Sequence, residues 1–330
     1  MSRESDEMAV ALWLVASGRA EIRPAEAPFP AAGSLRLRAL VSAISRGTEA
    51  LVFQGKVPES EWQRMRCPFQ EGDFPFPVKY GYALVGRVED GPTERIGSRV
   101  FCLHPHQSRV TLPAEAALPI PAGLPIERAA LAAQMETALN ATWDAAPRIG
   151  DKIAVVGAGV IGCLVGYLCG RLPRTAVTLV DPDESRRDVA SALGVSFATP
   201  GEHPPQDCDL VFHASGQSSG LELSLSLAGF EATVIELSWY GNAAASVGLG
   251  GAFHSQRLTL RSSQVGAVAP ARRARWSRQR RLAHALALTA DPRLDILVRN
   301  ETPFEALPDA LPAILGQPGA LSHLVRYPAS

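Results

Sequence analysis

Three glycines and one carboxylate stand at spacings that can hold a charged ligand. Gly157, Gly159 and Gly162 form G-x-G-x-x-G, and Asp181 follows further on. Gly157 permits a tight turn. Gly159 lacks the Cβ that would keep a pyrophosphate away, and Gly162 lets a helix pack close to the preceding strand. Val160 and Ile161 open that helix, whose free N–H groups and positive dipole end face an anion. The apolar run Lys152-Ile153-Ala154-Val155-Val156 leads into the motif, and Val177-Thr178-Leu179-Val180 leads into Asp181. That context favours a dinucleotide site over a plain glycine-rich turn. Asp181 would accept both hydroxyls of an adenosine ribose and repel a 2′-phosphate, so NAD is the expected cofactor. Arg186 and Arg187 lie near enough to admit NADP. Arg186 reads either as a neighbour of the adenine ribose or as part of a solvated helix face.

Other reactive side chains are grouped as well. His104 and His106 form His-x-His. On a strand both rings would face one way and could meet one ligand, and histidine suits a proton shuttle. Pro105 between them fits a loop equally well, and no third metal ligand is obvious. Arg272, Arg273, Arg275, Arg278, Arg280 and Arg281 crowd one short stretch. They form either a solvated helix face or a fork for a substrate carboxylate or phosphate. Ala214, Ser215 and Gly216 close a strand on the side that faces a dinucleotide, where small residues let a ribose approach. His213 reads as a packed strand residue.

These groups need elements to position them. Met8–Val15, Ser34–Ser42, Tyr82–Val88 and Ser98–Leu103 read as short strands of an irregular β-rich domain. Ile126–Ala146 reads as a helix between Pro125 and Pro147. From residue 151 strands and helices alternate, which implies a doubly wound parallel sheet. The helices are Glu184–Leu193, closed by Gly194, then Leu221–Leu227 and a long one over Ala271–Leu288. The strands are Asp209–Ala214, Ala232–Ser238 and Leu258–Ser262. Leu294–Val298 reads as a further strand and Phe304–Leu315 as a last helix. The chain has 330 residues, 46% hydrophobic, enough for two domains. A net charge of −1 gives no general attraction to nucleic acid or anionic membrane. No apolar run is long enough to span a bilayer. Glu4, Asp6 and Glu7 precede the apolar Met8–Ala16, which argues against a secretory leader. Cys67, Cys102, Cys163, Cys169 and Cys208 are scattered, with no C-x-x-C. That suits a reducing, cytoplasmic setting.

The whole pattern resembles the medium-chain dehydrogenase/reductase superfamily. The likeness rests on Leu40 to Glu49, Tyr80 to Val88, Gly97 to Phe101, Val155 to Gly162 and Val180-Asp181. It implies a β-rich GroES-like domain over 1–125 and a Rossmann domain over 126–290. The segment 291–330 would return to the first. It also marks where the alcohol dehydrogenases of that superfamily keep catalytic zinc. Ser45 stands in place of the first Cys, and Tyr82 and Ala83 in place of a His-Glu pair. The fourth position falls near Ala133, with Glu136 close by. Zinc needs three or four N, S or carboxylate ligands, so no zinc is expected there. No cysteine cluster exists for a structural zinc. A hydroxyl, imidazole or ammonium group must then handle the proton. By position Tyr82 is the first candidate, with Lys79 as the cation that would lower its phenol from a pKa of about 10. The bland reading has Tyr82 plugging the vacated metal cavity. Thr48 matches a hydroxyl proton relay and reads equally well as a strand-end or turn hydroxyl, Ser45 has a similar place, and His104 is a fourth candidate. Thr137 would touch the nicotinamide end of the cofactor. Glu136 is either a buried acid or a polar surface residue. Ser45 to Glu49, Phe74 to Tyr82 and Leu103 to His106 resemble zinc-less members related to bacteriochlorophyllide hydroxyethyl dehydrogenase.

Three functions follow as expectations. The first is a zinc-independent oxidoreductase moving hydride between NAD(H) and a secondary alcohol or ketone of a biosynthetic intermediate. The second is an NAD(P)H-dependent enone or quinone reductase. The third is a nucleotide-binding protein without catalysis. The expected partners are a small-molecule substrate, anionic if the arginines serve it, and a second copy of the chain. Neither nucleic acid nor membrane is expected.

Overall fold

The computed structural model describes residues 8–316 and 321–328. Glu4, Asp6 and Glu7, which bear on the secretory leader, lie outside the described residues. No helix among the described residues is long and apolar enough to cross a membrane. Two compact units are present. The first takes in the described residues up to 133, with 286–290 and those from 298 on; the second takes in 134–285 and 291–297.

The first unit is mainly β. Ser34–Ile44 is its central strand, with Leu35, Leu37, Ala39 and Val41 fully buried. It pairs antiparallel with Leu84–Asp90, Arg109–Pro113 and, from the far end of the chain, Ser322–Arg326. A separate four-stranded sheet includes Ala9–Ala16, Arg19–Ala25 and Val78–Lys79. The strand Ser34–Ile44 ends in a helix, Arg46–Phe53, where the sequence suggested only a strand end or turn. Glu49 stabilises that helix start by accepting the Ser45 N–H at 2.7 Å.

The second unit is built on a six-stranded parallel sheet. Its order is Ser196–Ala198, Ala176–Val180, Lys152–Val156, Cys208–His213, Ala228–Glu236 and Thr259–Ser262. The chain starts in the middle, winds outward one way, then returns and winds the other way, as in dinucleotide-binding sheets. Ile153 to Val156 are buried on both faces, which explains their unbroken apolar run. The apolar helix Val160–Cys169 is likewise mostly buried. Gly194 closes the helix Arg186–Leu193 at φ 77°, a left-handed position that suits glycine.

Three local expectations differ. The helix expected over Ala271–Leu288 begins only at Arg278, because Ser277 Oγ accepts the Arg280 N–H at 3.1 Å and acts as its cap. The strand expected over Leu294–Val298 is a 3-10 helix, Pro292–Leu297, followed by the strand Val298–Pro303. There Asp291 Oδ1 accepts the Arg293 N–H at 2.9 Å and starts the turn. The helix expected over Ile126–Ala146 is two pieces, Ile126–Ala129 and Ala132–Ala145, and the Leu131 N–H donates to Arg128 three residues back.

Candidate active site and cofactor cradle

In the second unit each glycine of the motif has a separate spatial reason. A Cβ on Gly162 would lie 1.8 Å from the Gly157 carbonyl oxygen, so only glycine lets the helix pack under the loop. Gly157 turns at φ 102°, and a Cβ there would lie 2.6 Å from the Ser215 nitrogen. Gly159 differs, because a Cβ on it would meet nothing within 4 Å. The space beside Gly159 is open, as a cradle for a phosphate requires. Gly159 caps the helix without a side-chain bond, and Val160 and Ile161 are half-buried there with first-turn N–H groups free of intrahelical partners. The residues present fit a dinucleotide.

Asp181 sits at the end of the neighbouring strand and is tied to this loop. Its Oδ2 accepts the Ala158 N–H at 2.7 Å and its Oδ1 accepts the Asp183 N–H at 2.9 Å. A carboxylate has roughly four acceptor positions, so two remain for ribose hydroxyls. Arg186 is buried and paired with Asp183 at 3.3 Å. Arg187 is held by Glu184 and Glu202 and lies over the Phe197 ring. Ala214 and Ser215 are half-buried, and Gly216 is exposed at φ 70°. Thr137 is half-buried on Ala132–Ala145.

In the first unit Tyr82, Ser45 and Thr48 come together. The Tyr82 phenol hydrogen-bonds with both the Ser45 and Thr48 hydroxyls, and all three residues are half-buried. Burial pushes the Tyr82 phenol up to about 12, against a smaller lowering by the two hydroxyls. This corrects the expected role of Lys79. Lys79 lies directly across the strand pair from Glu71 and is bonded to it, with Gln107 Oε1 at 2.7 Å as a second partner. Its ammonium group is committed there and does not lower Tyr82.

The positions that the resemblance gives to catalytic zinc carry side chains that are poor zinc ligands. Ser45 and Tyr82 offer neutral hydroxyls bonded to each other, and Ala83 and Ala133 have no donor atom. Glu136 is bound to Arg281 at 3.0 Å. Among the described residues no group of three His, Cys, Asp or Glu side chains is placed to hold a metal ion. All five cysteines are buried free thiols.

His104 and His106 part company. The strand Arg99–Cys102 ends before them, so they do not share a face by strand alternation. His104 is buried, stacks on Phe69 with ring centres 5.3 Å apart, and has its Nδ1 beside the Pro105 carbonyl at 3.0 Å. With Lys79 and Gln107 it lines a cavity of about 270 Å³. Burial lowers its pKa to about 4, so it is neutral at physiological pH. His106 instead has its Nε2 3.1 Å from the Glu49 carboxylate and its Nδ1 2.7 Å from the Ser42 hydroxyl, and Ser42 stands 3.1 Å from the Tyr327 hydroxyl. Gly81, next to Tyr82, leaves room for this ring, since a Cβ there would lie 2.8 Å from His106 Cδ2.

The sequence reading missed two arrangements in the second unit. His213 is not merely packed. It lies between Glu236 at 2.8 Å and Ser215 at 2.6 Å. The pattern Gly-rich turn, strand, His-x-Ser could have raised it, but Glu236 is 23 residues away on another strand. The arginine stretch is also divided. Arg281 is fully buried and grips Glu136, Asn140 and the carbonyls of Ala267 and Val265. Arg280 and Arg272 lie over the rings of Trp276 and Trp143. Glu136 is thus a buried acid with a structural partner. On the same helix Gln134 is buried with neither amide atom hydrogen-bonded.

No protein-family model matches the chain. It is 25% identical over 281 residues to D-guloside 3-dehydrogenase of Escherichia coli (strain K12), covering 76% of this chain and 79% of that protein. In structure it resembles L-idonate 5-dehydrogenase of Escherichia coli K-12, with a TM-score of 0.78, 15% identity and coverage of 97% and 98%. It also resembles a Sinorhizobium meliloti 1021 protein, described as a zinc-binding dehydrogenase and bound to NADP, with a TM-score of 0.75, 19% identity and coverage of 97% and 99%. The fold is therefore the one that medium-chain alcohol and polyol dehydrogenases share, a Rossmann sheet with a GroES-like β-rich unit.

Proposed function

We propose that this chain is an oxidoreductase of the medium-chain type that moves a hydride between NAD(H) and the carbon of a secondary alcohol or ketone, without catalytic zinc. The observation that carries the reading is the Tyr82 phenol held by Ser45 and Thr48, where the resemblance to zinc alcohol dehydrogenases would place a metal ligand. When bound, the nicotinamide ring supplies or accepts the hydride. The chain's part is binding and proton handling. The loop 157–162 cradles the pyrophosphate with backbone N–H groups, Asp181 accepts ribose hydroxyls, and Thr137, Ala214, Ser215 and Gly216 border the nicotinamide half. Tyr82 is neutral near pH 7 and donates its proton to an oxygen that gains negative charge during reduction. Ser45 and Thr48 hydrogen-bond the phenolate left behind. His104 takes no proton at neutral pH, given its value of about 4, and lies outside this scheme.

Asp181 favours NAD, and the engagement of Arg186 and Arg187 with acids leaves neither presented to a 2′-phosphate. The names of the relatives point to a polyhydroxylated substrate with a secondary hydroxyl. The stretches Ser45 to Glu49 and Leu103 to His106 support a place among the zinc-less members related to bacteriochlorophyllide hydroxyethyl dehydrogenase. A second reading has its own support: a neutral phenol donor also serves an enone reductase, which needs a proton for the α-carbon. The test is NADH and NADPH titration by fluorescence, then assay of secondary polyols, ketones and enones with and without chelator. Tighter NADH binding and chelator-resistant ketone reduction are expected. Turnover of enones alone would favour the second reading. Activity lost to chelator and restored by zinc would overturn both.

A further inference from the structure

We propose that Glu236, His213 and Ser215 form a relay that fixes Ser215 as the hydrogen-bond acceptor for a hydroxyl of the nicotinamide-side ribose. The inference rests on the dinucleotide reading of the 157–162 loop.

The protons in this trio are ordered by their neighbours. The Glu236 carboxylate accepts the Ser238 N–H at 2.7 Å and the Tyr240 hydroxyl at 3.1 Å. Burial opposes its ionisation, but the hydrogen bonds from His213 and Ser238 hold it below the usual carboxylate range. A charged carboxylate facing His213 Nδ1 at 2.8 Å places a proton on that nitrogen. In the singly protonated ring Nε2 is then the acceptor, and the Ser215 hydroxyl 2.6 Å away donates to it. Ser215 Oγ also accepts the Gln217 N–H at 3.2 Å. Its one hydrogen and one lone pair are used, so one lone pair remains. Ser215 is half-buried, not sealed, so that lone pair can meet a ligand that donates, as a sugar hydroxyl does.

The place fits the ribose distant from adenine. In the sheet order, Ala176–Val180 lies on one side of Lys152–Val156 and Cys208–His213 on the other. Asp181 and Ser215 therefore flank the glycine loop from opposite sides, and a dinucleotide whose pyrophosphate lies on that loop has one ribose toward each. The loop packs directly on this serine, as the Gly157 to Ser215 approach shows. Room for the trio is also provided, since a Cβ on Gly220 would lie 2.2 Å from Ser215 Oγ and 2.8 Å from His213 Nε2. In this scheme Ser215 touches the cofactor, while His213 and Glu236 are positioning residues.

The experiment is calorimetric titration of NADH, ADP-ribose and ADP into the wild type and into Ser215→Ala, Ser215→Thr and His213→Leu, each checked for a folded state by circular dichroism. Loss of one hydrogen bond corresponds to roughly tenfold in affinity. Ser215→Ala is expected to weaken NADH and ADP-ribose about tenfold and leave ADP unchanged. Ser215→Thr should restore most of the loss. His213→Leu should give a smaller loss with the same ligand pattern. Loss for NADH but not ADP-ribose would assign Ser215 to the carboxamide and overturn the ribose contact. Equal loss for ADP, or none for any ligand, would also overturn it. Wild-type protein that binds none of the three would remove the dinucleotide reading itself. A burst of nitrophenol from p-nitrophenyl acetate that Ser215→Ala abolishes would make the serine a nucleophile and contradict the relay.

Discussion

Two histidines in this protein each stand between a glutamate and a serine, one trio in each unit. In the first unit Glu49, His106 and Ser42 are all buried, and Tyr327 closes the end of the chain of bonds. In the second unit Glu236, His213 and Ser215 use the same side-chain types, but Ser215 is half-buried and Glu236 is partly exposed. The composition is the same and the surroundings differ. A fully satisfied, sealed polar network rigidifies a core and leaves nothing for a ligand. A network whose last member keeps a free lone pair near solvent can bind one. Residue type alone does not separate structure from recognition; the accounting of hydrogen-bond capacity does.

The largest effect expected lies beside the sealed trio. Tyr82→Phe keeps the ring and removes the proton donor, so kcat should fall by about 10²–10⁴, with NADH affinity unchanged. Steady-state kinetics and titration check this; unchanged kcat would remove Tyr82 from the mechanism. Next is the contrast between the trios. His106→Leu strands a buried Glu49 carboxylate and should lower unfolding free energy by about 3–5 kcal/mol. His213→Leu leaves Glu236 with Ser238, Tyr240 and some solvent, and should cost about 1–2 kcal/mol. Urea unfolding of both variants tests the ranking, and equal losses would dissolve the distinction.

Acid should find the first unit through His104. Its pKa falls from 6.5 to about 4 on folding. Between those values the unfolded chain binds a proton that folded His104 refuses. Stability is thus full above pH 6.5, is lost as pH falls toward 4, and changes no further from this group below that. The size is on the order of 3 kcal/mol. His104→Gln should flatten the stability curve over this window; an unaltered slope would mean other groups cause it. The smallest effect concerns Gln134, whose unpartnered amide should make Gln134→Leu more stable by about 1–2 kcal/mol in ligand-free protein. Equal or lower stability would mean that the amide is satisfied by water.

The strand, glycine turn and helix over 152–169 were legible in the sequence because their parts are local. Gly157, Gly159, Gly162 and the strand before them are consecutive, and each answers to one steric demand. The place of Asp181 at a strand end was legible through spacing, although its bond to Ala158 was not. Tyr82, Ser45 and Thr48 were singled out by resemblance, and the fold puts the Tyr82 phenol in hydrogen-bonding contact with both hydroxyls. What sequence did not reveal is pairing across long separations. Glu49 with His106, His213 with Glu236 and Arg281 with Glu136 are joined only by the folded sheet and helices. Lys79 illustrates the same point in reverse. Its nearness in sequence to Tyr82 suggested coupling, but strand pairing turns it to Glu71. Ser277 also matters, because its capping bond shortened the expected helix and split the arginines into a buried clamp and exposed members.

The central claim is hydride chemistry on a bound nicotinamide without catalytic zinc. Elemental analysis of purified protein saturated with NADH tests it most directly. The account predicts one NADH per chain and zinc far below one per chain. Stoichiometric zinc that stays through gel filtration would contradict it and return the metal to the Tyr82 position.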